Sequence, residues 1–352
     1  MGYHPSRNYI IETMKAFIET PSPVSYYEET NALLERYALA LGYQVTYDKK
    51  NTPTIQVMGE DTSKTICIST HLDTLGLIIK SIDPDGMIRV RNLGGINFWG
   101  IEGATVTIHT RKNKKFTGLM ACQSHSVHVF TDAHTCERNE DTMMIILDQD
   151  VHTKEDVKKL GIENGDIISI DPQFEYLENG YVKTRYIDNK ACVACSIDIL
   201  RYFSEHKQKP AYNVHFFFPY YEEIGHGAAY IDPAIEEFVA LDIALIGPDN
   251  EGSEHKVSIC LKDNISPYDR TLTEKLIKLA EAEKINFVQD IFYRYSTDAT
   301  AAIKSGNNIQ FAAFGMGTFS SHGVERTHIE AIEDTARLTA SYITNKEGEE
   351  NE

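Results

Sequence analysis

Long apolar segments and positive charge are both scarce in this 352-residue sequence. It has no run of about 18 apolar residues, which a membrane-spanning helix needs, and its first residues lack the apolar core of a signal peptide. Asp and Glu number 52 against 34 Lys and Arg, so the formal net charge is −18. Because an acidic surface repels phosphate groups, we expect neither nucleic acid nor a membrane as a partner.

Cysteine is also scarce, since six in 352 residues are far too few for a disulfide-stapled scaffold. Cys192 and Cys195 form a CxxC motif, but the surrounding ACVACSIDIL is typical of a buried helix. We therefore interpret them as packing thiols, with a redox pair as the alternative. Together with the missing signal peptide, this composition predicts a reduced, cytoplasmic protein.

The order of the predicted elements indicates an α/β domain that is interrupted by a β insert. Helical spacing covers 7–20 and 26–42, and strands follow at 54–59 and 65–70. Short strand-like pieces separated by Gly and Asp turns then fill 77–178, with one helix near 153–160. After 179 strands and helices alternate again: a helix over 189–205, strands over 212–218 and 238–246, a helix over 271–284, a strand over 309–315 and a helix over 329–345.

This alternation predicts a largely parallel, doubly wound sheet flanked by helices. The predicted domains are a catalytic α/β unit over 1–76 and 179–352 and an inserted β domain over 77–178. The cluster KNKK at 112–115 is expected in a hairpin turn, and the acidic end EGEENE at 347–352 is expected to be a solvated tail.

Residues of metal-ligand type stand where the predicted strands end. Because parallel strands deliver their carboxyl ends to one edge of a sheet, these side chains should meet there. His, Asp and Glu in such a group suit a pair of divalent cations with nitrogen and oxygen ligands. The group comprises His71 after TICIST, Asp188 at the start of a helix, Glu222 and Glu223 after VHFFFPYY, Asp242 within the next predicted strand, and His322 after IQFAAFGMGTFSS.

The chemistry of a two-metal site assigns a role to each residue. Asp188 is the candidate bridge between two ions, because a short side chain before a helix is well fixed. Glu222 is the candidate general base, since the adjacent Glu223 can ligate while Glu222 accepts a proton. Asp73 lies two residues after His71 and is placed to orient its imidazole. The terminal ligands are then His71, His322, Glu223 and Asp242.

Each residue also has an ordinary interpretation. Asp188 alone reads as a helix cap, and Glu222 with Glu223 as solvated surface. Asp242 is harder to dismiss, because a buried carboxylate in VALDIAL needs a partner. His328 competes with His322 for the last ligand position, but it stands where helical periodicity begins, so we expect it to cap or pack a helix.

Six ordered motifs resemble the tetrahedral co-catalytic metallo-aminopeptidases, the glutamyl-aminopeptidase and endoglucanase-like family. The family's His-x-Asp-x-x-Gly, Asp-Asp-Arg-Ala-Gly, Glu-Glu-Val-Gly, Ile-Asp-Val, Gly-Thr-Asp-Ala and terminal His segments are similar to HLDTLG (71–76), DNKAC (188–192), EEIG (222–225), LDIAL (241–245), STDAT (296–300) and SSHGVER (320–326). The insert also matches, over 158–175. This chain departs from the family at Asn189 and Lys190, which stand in place of Asp-Arg.

The resemblance implies a zinc-peptidase-like fold with a small β-barrel or PDZ-like insert, and an aminopeptidase that acts on short peptides. It implies two divalent ions per subunit, Zn²⁺ or Co²⁺, held by His71, Asp188, Glu223, Asp242 and His322. It also implies Glu222 as the base, Asp73 in support, and a homo-oligomer, possibly a dodecamer, assembled through the insert. Two alternatives stay open, namely a di-metal deacylase of a non-peptide amide and a non-catalytic metal-binding scaffold.

Overall fold

The computed structural model describes residues 2–346. The predicted acidic tail at 347–352 lies outside the described residues. Within them the chain forms seven α-helices: α1 Arg7–Glu19, α2 Glu28–Ala40, α3 Lys154–Leu160, α4 Ile187–His206, α5 Arg270–Ala282, α6 Asp298–Lys304 and α7 Ile329–Thr344. None of these helices has the length and apolar character that crossing a membrane would require.

The same residues form eighteen strands, several of them only two or three residues long. They are β1 Val45–Tyr47, β2 Pro53–Val57, β3 Asp61–Ser69, β4 Gly76–Ile82, β5 Ile88–Leu93, β6 Thr105–His109, β7 Lys115–Cys122, β8 Met143–Leu147, β9 Ile167–Ile170, β10 Glu175–Tyr176, β11 Tyr181–Thr184, β12 Tyr212–Phe217, β13 Ile235–Leu241, β14 Ala244–Leu245, β15 Val257–Lys262, β16 Phe287–Ile291, β17 Gln310–Thr318 and β18 Glu325–His328.

A mixed, mostly parallel sheet forms the centre of the molecule. Its strand order is β1-β2-β12-β3-β13-β17-β15-β16, and β14 pairs with β17. Strands β12, β3, β13 and β17 are mutually parallel, whereas β2 and β15 run antiparallel to their inner neighbours. The parallel strands are apolar on both faces, as strands covered by helices on both sides must be. The predicted fold class is confirmed.

Both faces of the sheet are covered. Ile66 and Ile68 of β3 join the cluster beneath α1, α4 and α7, whereas Cys67 between them joins the cluster that contains Ala299 and Ala302 of α6. This alternation is the two-residue period of a strand. Helix α4 is buried along most of its length, because α1 and α7 pack against it.

Six antiparallel strands between residues 76 and 170 close into a barrel, in the order β4-β5-β8-β7-β6-β9. Its interior is a separate apolar cluster that includes Leu77, Val90, Ile108, Ile145 and Ile168. The turn expected at 112–115 joins β6 to β7, although Lys115 already belongs to β7, and the expected helix near 153–160 is α3. The barrel is the β component that the short strand-like pieces of 77–178 predict.

Several elements differ from the sequence-based expectations. Strands β15 and β16 and helix α6 were not predicted, because they follow polar segments and are only five to seven residues long. Asp242 does not lie inside a strand, since β13 ends at Leu241 and β14 begins at Ala244. Strand β17 continues through GMGT to Thr318, a stretch whose small residues suggest a turn.

Candidate metal centre

His71 and Asp188 form the innermost pair of the site. His71 follows the end of β3, and its Nε2 lies 2.9 Å from Oδ1 of Asp188 at the start of α4. Both residues are buried. Nδ1 of His71 lies 3.1 Å from the backbone oxygen of Asp73, and this hydrogen bond fixes the orientation of the ring.

Asp73 connects His71 to the next loop of the site. Its carboxylate accepts the backbone N–H of Glu222 at 3.3 Å and of Glu223 at 3.1 Å, and it lies 3.4 Å from Nδ1 of His71. The predicted support of His71 therefore comes mainly from the backbone of Asp73. Its carboxylate chiefly fixes the loop that carries the two glutamates.

The adjacent glutamates point toward different histidines. They occupy a single 3₁₀ turn after β12. This turn is closed by Gly225, which has a φ of +80°. Oε2 of Glu222 lies 3.8 Å from Nε2 of His71, whereas Oε2 of Glu223 lies 3.6 Å from Nε2 of His322. The tight turn thus presents two neighbouring carboxylates to two separate points of the site.

His322, and not His328, joins this group. Nε2 of His322 lies 3.9 Å from Oδ2 of Asp188, and its Nδ1 donates a 2.7 Å hydrogen bond to the carbonyl of Gly95. Gly95 follows strand β5, so the barrel contributes directly to the centre. His328 caps α7 by accepting the N–H of Glu330 and bonds through Nε2 to the carbonyl of Asn179.

A cavity of about 320 Å³ opens beside these residues. Asp242 lines it, with its Oδ1 accepting the N–H of Ile243 at 2.8 Å. Arg294, Tyr295 and Ser296 also line the cavity. The structure therefore brings all the ligand-type residues predicted from the sequence to one sheet edge, next to a space that can admit a small substrate.

The charges of the centre are unbalanced. Burial raises the pKa of the Glu222, Glu223 and Asp242 carboxyls well above their usual range, and neighbouring carboxylates raise them further. Burial acts on Asp188 in the same direction, but the hydrogen bond from His71 and the charges of His71 and His322 together outweigh it and lower that pKa.

Two imidazoles cannot compensate four buried carboxylates, and crowded anions of this kind are stabilised by cations. His71, Asp188 and Glu223 already present donor atoms within 4.8 Å of one another. The donor set, nitrogen from histidine and oxygen from carboxylates, suits divalent transition ions. The residues present thus fit the group of metal ions that the sequence motifs imply.

Glu325 is a supporting residue of the centre to which the sequence alone assigns no role. It is buried, and it accepts the N–H of Asp188 at 3.0 Å and the N–H of His322 at 3.2 Å. One carboxylate therefore holds the backbones of two proposed ligands. The sequence signal is the glutamate of SSHGVER, which stands three residues after the histidine.

The two residues that depart from the family motif support other loops of the centre. Asn189 donates to the carbonyl of Leu241, next to Asp242, at 2.7 Å. Lys190 is fully buried and donates to the carbonyl of Leu72, between His71 and Asp73. Burial lowers the pKa of Lys190 to about 7. Both side chains reach back from α4 to hold loops at the strand ends.

A model of the M42 glutamyl aminopeptidase family matches residues 53–338. The chain belongs to this family. It is 35% identical over 334 residues to the Bacillus subtilis protein YhfE, a match that covers 95% of this chain and 96% of that one. It is 26% identical to the lysyl aminopeptidase of Pyrococcus furiosus over 68% of each chain.

Solved structures show the same fold for this M42 chain. The TET aminopeptidase of a marine-sediment thaumarchaeon aligns with a TM-score of 0.86 at 19% identity, covering 97% of this chain and 98% of that one. The TET1 peptidase of Pyrococcus horikoshii, described as assembling into a tetrahedron or a large octahedral shell, aligns with a TM-score of 0.83 at 22% identity over 96% of this chain and all of that one. Family membership makes this chain a peptide hydrolase of the aminopeptidase class.

Proposed function

We propose that this chain is a di-metal aminopeptidase that removes N-terminal residues from short peptides. The observation that carries the proposal is the convergence of ligand-type side chains from separate segments on the Asp188 carboxylate, beside an open cavity. The two histidines approach different oxygens of Asp188, Nε2 of His71 at Oδ1 and Nε2 of His322 at Oδ2. That arrangement supports Asp188 as the ligand shared by two ions.

The remaining proposed ligands fall into two groups according to the residues that they lie beside. His322 and Glu223 lie 3.6 Å apart at one end of the centre. We assign His71 and Asp242 to the other end, because the charge of His71 acts on the Asp242 carboxyl. Zn²⁺ or Co²⁺ suits the mixed nitrogen and oxygen donors. When bound, a pair of such ions supplies an acidified water and an electrophile for the scissile carbonyl.

Glu222 provides the proton transfer in this proposal. Its carboxylate lines the cavity and lies beside His71, while the adjacent Glu223 faces His322. Glu222 accepts a proton from the attacking water and returns it to the nitrogen of the leaving amine. Asp73 keeps Glu222 in position by accepting its backbone N–H.

We also propose that the chain forms a homo-oligomer through the barrel, as the assembly reported for the TET1 peptidase of Pyrococcus horikoshii suggests by analogy. A dodecamer has a mass twelve times that of the 39.8 kDa chain. Light scattering of the purified protein measures this directly. The domain boundaries at 76 and 178 and the cytoplasmic location stay predictions.

The test combines metal analysis with a panel of aminoacyl-4-nitroanilides and their N-acetylated analogues. We expect cleavage only of substrates with a free α-amine, whereas a deacylase would act on the acetylated ones. Glu222→Gln should retain its metal and lose about 10²–10⁴-fold in turnover, the usual contribution of a placed general base. Near-normal turnover of this variant would refute the role of Glu222, and a metal-replete, inactive wild type would favour a scaffold.

A further inference from the structure

A second cluster of histidine and glutamate lies apart from the proposed centre, where α7 begins. It consists of His255, His328 and Glu330. Nδ1 of His255 lies 2.8 Å from Oε2 of Glu330, and Nδ1 of His328 lies 3.4 Å from the same oxygen. The three donor atoms all lie within 4.8 Å of one another. Two imidazole nitrogens and one carboxylate oxygen thus face a common point.

The outer nitrogens of both rings are held by other groups. Nε2 of His328 donates to the carbonyl of Asn179 at 2.9 Å, and Nε2 of His255 lies 3.2 Å from the hydroxyl of Tyr181. Metal-ligating histidines have this arrangement, because a partner on the far nitrogen fixes the ring and its tautomer. The ring of His328 therefore directs its Nδ1 lone pair inward.

The backbone around His328 is shaped to its ring. Gly180 has φ of +93°, and a Cβ at this position would lie 2.4 Å from Nε2 of His328. Only glycine leaves room for the imidazole there. The ring is almost fully buried, while His255 and Glu330 are partly exposed, so the common point is open to solvent on one side.

We propose that His255, His328 and Glu330 bind a divalent transition ion of the Zn²⁺ class, separate from the di-metal centre. Two histidines and a glutamate with one position open to water form a known zinc ligand set. The arginines near the cluster, Arg326 and Arg7, are each paired with a glutamate by two hydrogen bonds. Their charges therefore do not oppose a bound ion.

Binding requires one proton to move within His255. Without an ion, Nδ1 of His255 donates to the ionised Glu330, and Nε2 can accept from Tyr181. With an ion at Nδ1, the ring proton resides on Nε2, where the oxygen of Tyr181 accepts it. His328 needs no such change, but its Nδ1 gives up the 3.3 Å capping bond from the N–H of Glu330.

The experiment counts zinc per chain after equilibrium dialysis against a fixed free Zn²⁺ concentration. The wild type should hold one equivalent more than His255→Ala and one more than Glu330→Gln. His152→Ala is the matched control, because His152 is an exposed histidine that contacts Asp150 at 3.0 Å. It should hold as much zinc as the wild type. The difference of one equivalent does not depend on how many ions the other centre takes.

Thermal unfolding in the same buffers gives a second measurement. The wild type and His152→Ala should gain a further rise in the midpoint temperature at high Zn²⁺, and the other two variants should lack it. Glu330→Gln keeps the shape of the side chain, so it still tests the site if His255→Ala misfolds. Equal zinc content in the wild type, His255→Ala and Glu330→Gln would overturn the proposal.

Discussion

The two clusters of histidine and carboxylate in this chain differ in burial more than in residue type. Around Asp188 four carboxylates face two imidazoles in a buried pocket, and burial raises most of their pKa values. Around Glu330 one half-exposed carboxylate already pairs with His255, which lowers its pKa. Burial leaves the first cluster with an excess of negative charge that bound cations would balance, whereas the second cluster already contains its own ion pair.

The largest effect is expected for Asp188→Ala. If Asp188 is shared by two ions as we propose, both lose a ligand, so we expect loss of both ions and of nearly all activity. Asp242→Ala should lose mainly one ion, since we propose Asp242 as a terminal ligand. Metal analysis of the two purified variants makes the comparison, and two ions in Asp188→Ala would exclude a bridging role.

Replacing one histidine of each cluster by alanine separates effects on activity from effects on stability. His322→Ala should lose one ion of the centre and most of the turnover. His328→Ala should keep turnover near the wild-type value and lower the midpoint of thermal unfolding, because it removes the cap of α7. Kinetics and thermal melts of both variants check this, and the reverse pattern would transfer the ligand role to His328.

Glu325→Gln tests how strongly the supporting carboxylate acts. A glutamine presents one N–H donor to the backbone N–H groups of Asp188 and His322, so one of the two hydrogen bonds is lost. Removing such a partner lowers metal affinity by about 10–100-fold, and we expect that loss here. Titration with a competing chelator measures it. Unchanged affinity would show that the two loops hold their positions without Glu325.

His109 provides a contrast to His71, because it is a buried imidazole whose pKa is little affected by carboxylates. Burial, together with Lys115, lowers its pKa to about 4, whereas nearby carboxylates raise the pKa of His71 despite burial. The unfolded chain therefore binds the proton first as the pH falls. His109 should contribute stability that is complete above pH 6.5 and lost progressively toward pH 4, up to roughly 3 kcal/mol.

Denaturant melts of the wild type and His109→Gln between pH 4 and 7 measure this contribution. The variant should show a flatter dependence of the unfolding free energy on pH. Parallel curves for the two proteins would mean that His109 takes up its proton as readily in the folded chain as in the unfolded chain.

The alternation of strands and helices predicted the central sheet, and apolar strands ending in His, Asp or Glu predicted one edge for the site. Both predictions rest on local patterns that can be recognised in a single sequence. The contacts of Glu325 with Asp188, and of Gly95 with His322, join residues more than 100 positions apart. No periodicity records such contacts, so the supporting residues became visible only in the folded chain.

Short elements were missed for a different reason. Helix α6 has seven residues and strand β16 has five, too few for a period to stand out from chance. Asp242 was assigned to a strand interior because its neighbours are apolar, although β13 ends one residue before it. Burial of both flanks made a loop residue resemble part of a strand.

The hydrogen bond from His322 to the Gly95 carbonyl limits how freely the barrel can be exchanged between relatives. A Cβ at position 95 would lie 3.1 Å from Nδ1 of His322, so a grafted insert must bring a carbonyl in register there, and any residue larger than glycine would press on the imidazole. A chimera joined cleanly at both ends of the barrel can therefore fold and still have a misaligned histidine. An exchanged insert must therefore match the rest of the chain at its two ends and also at residue 95.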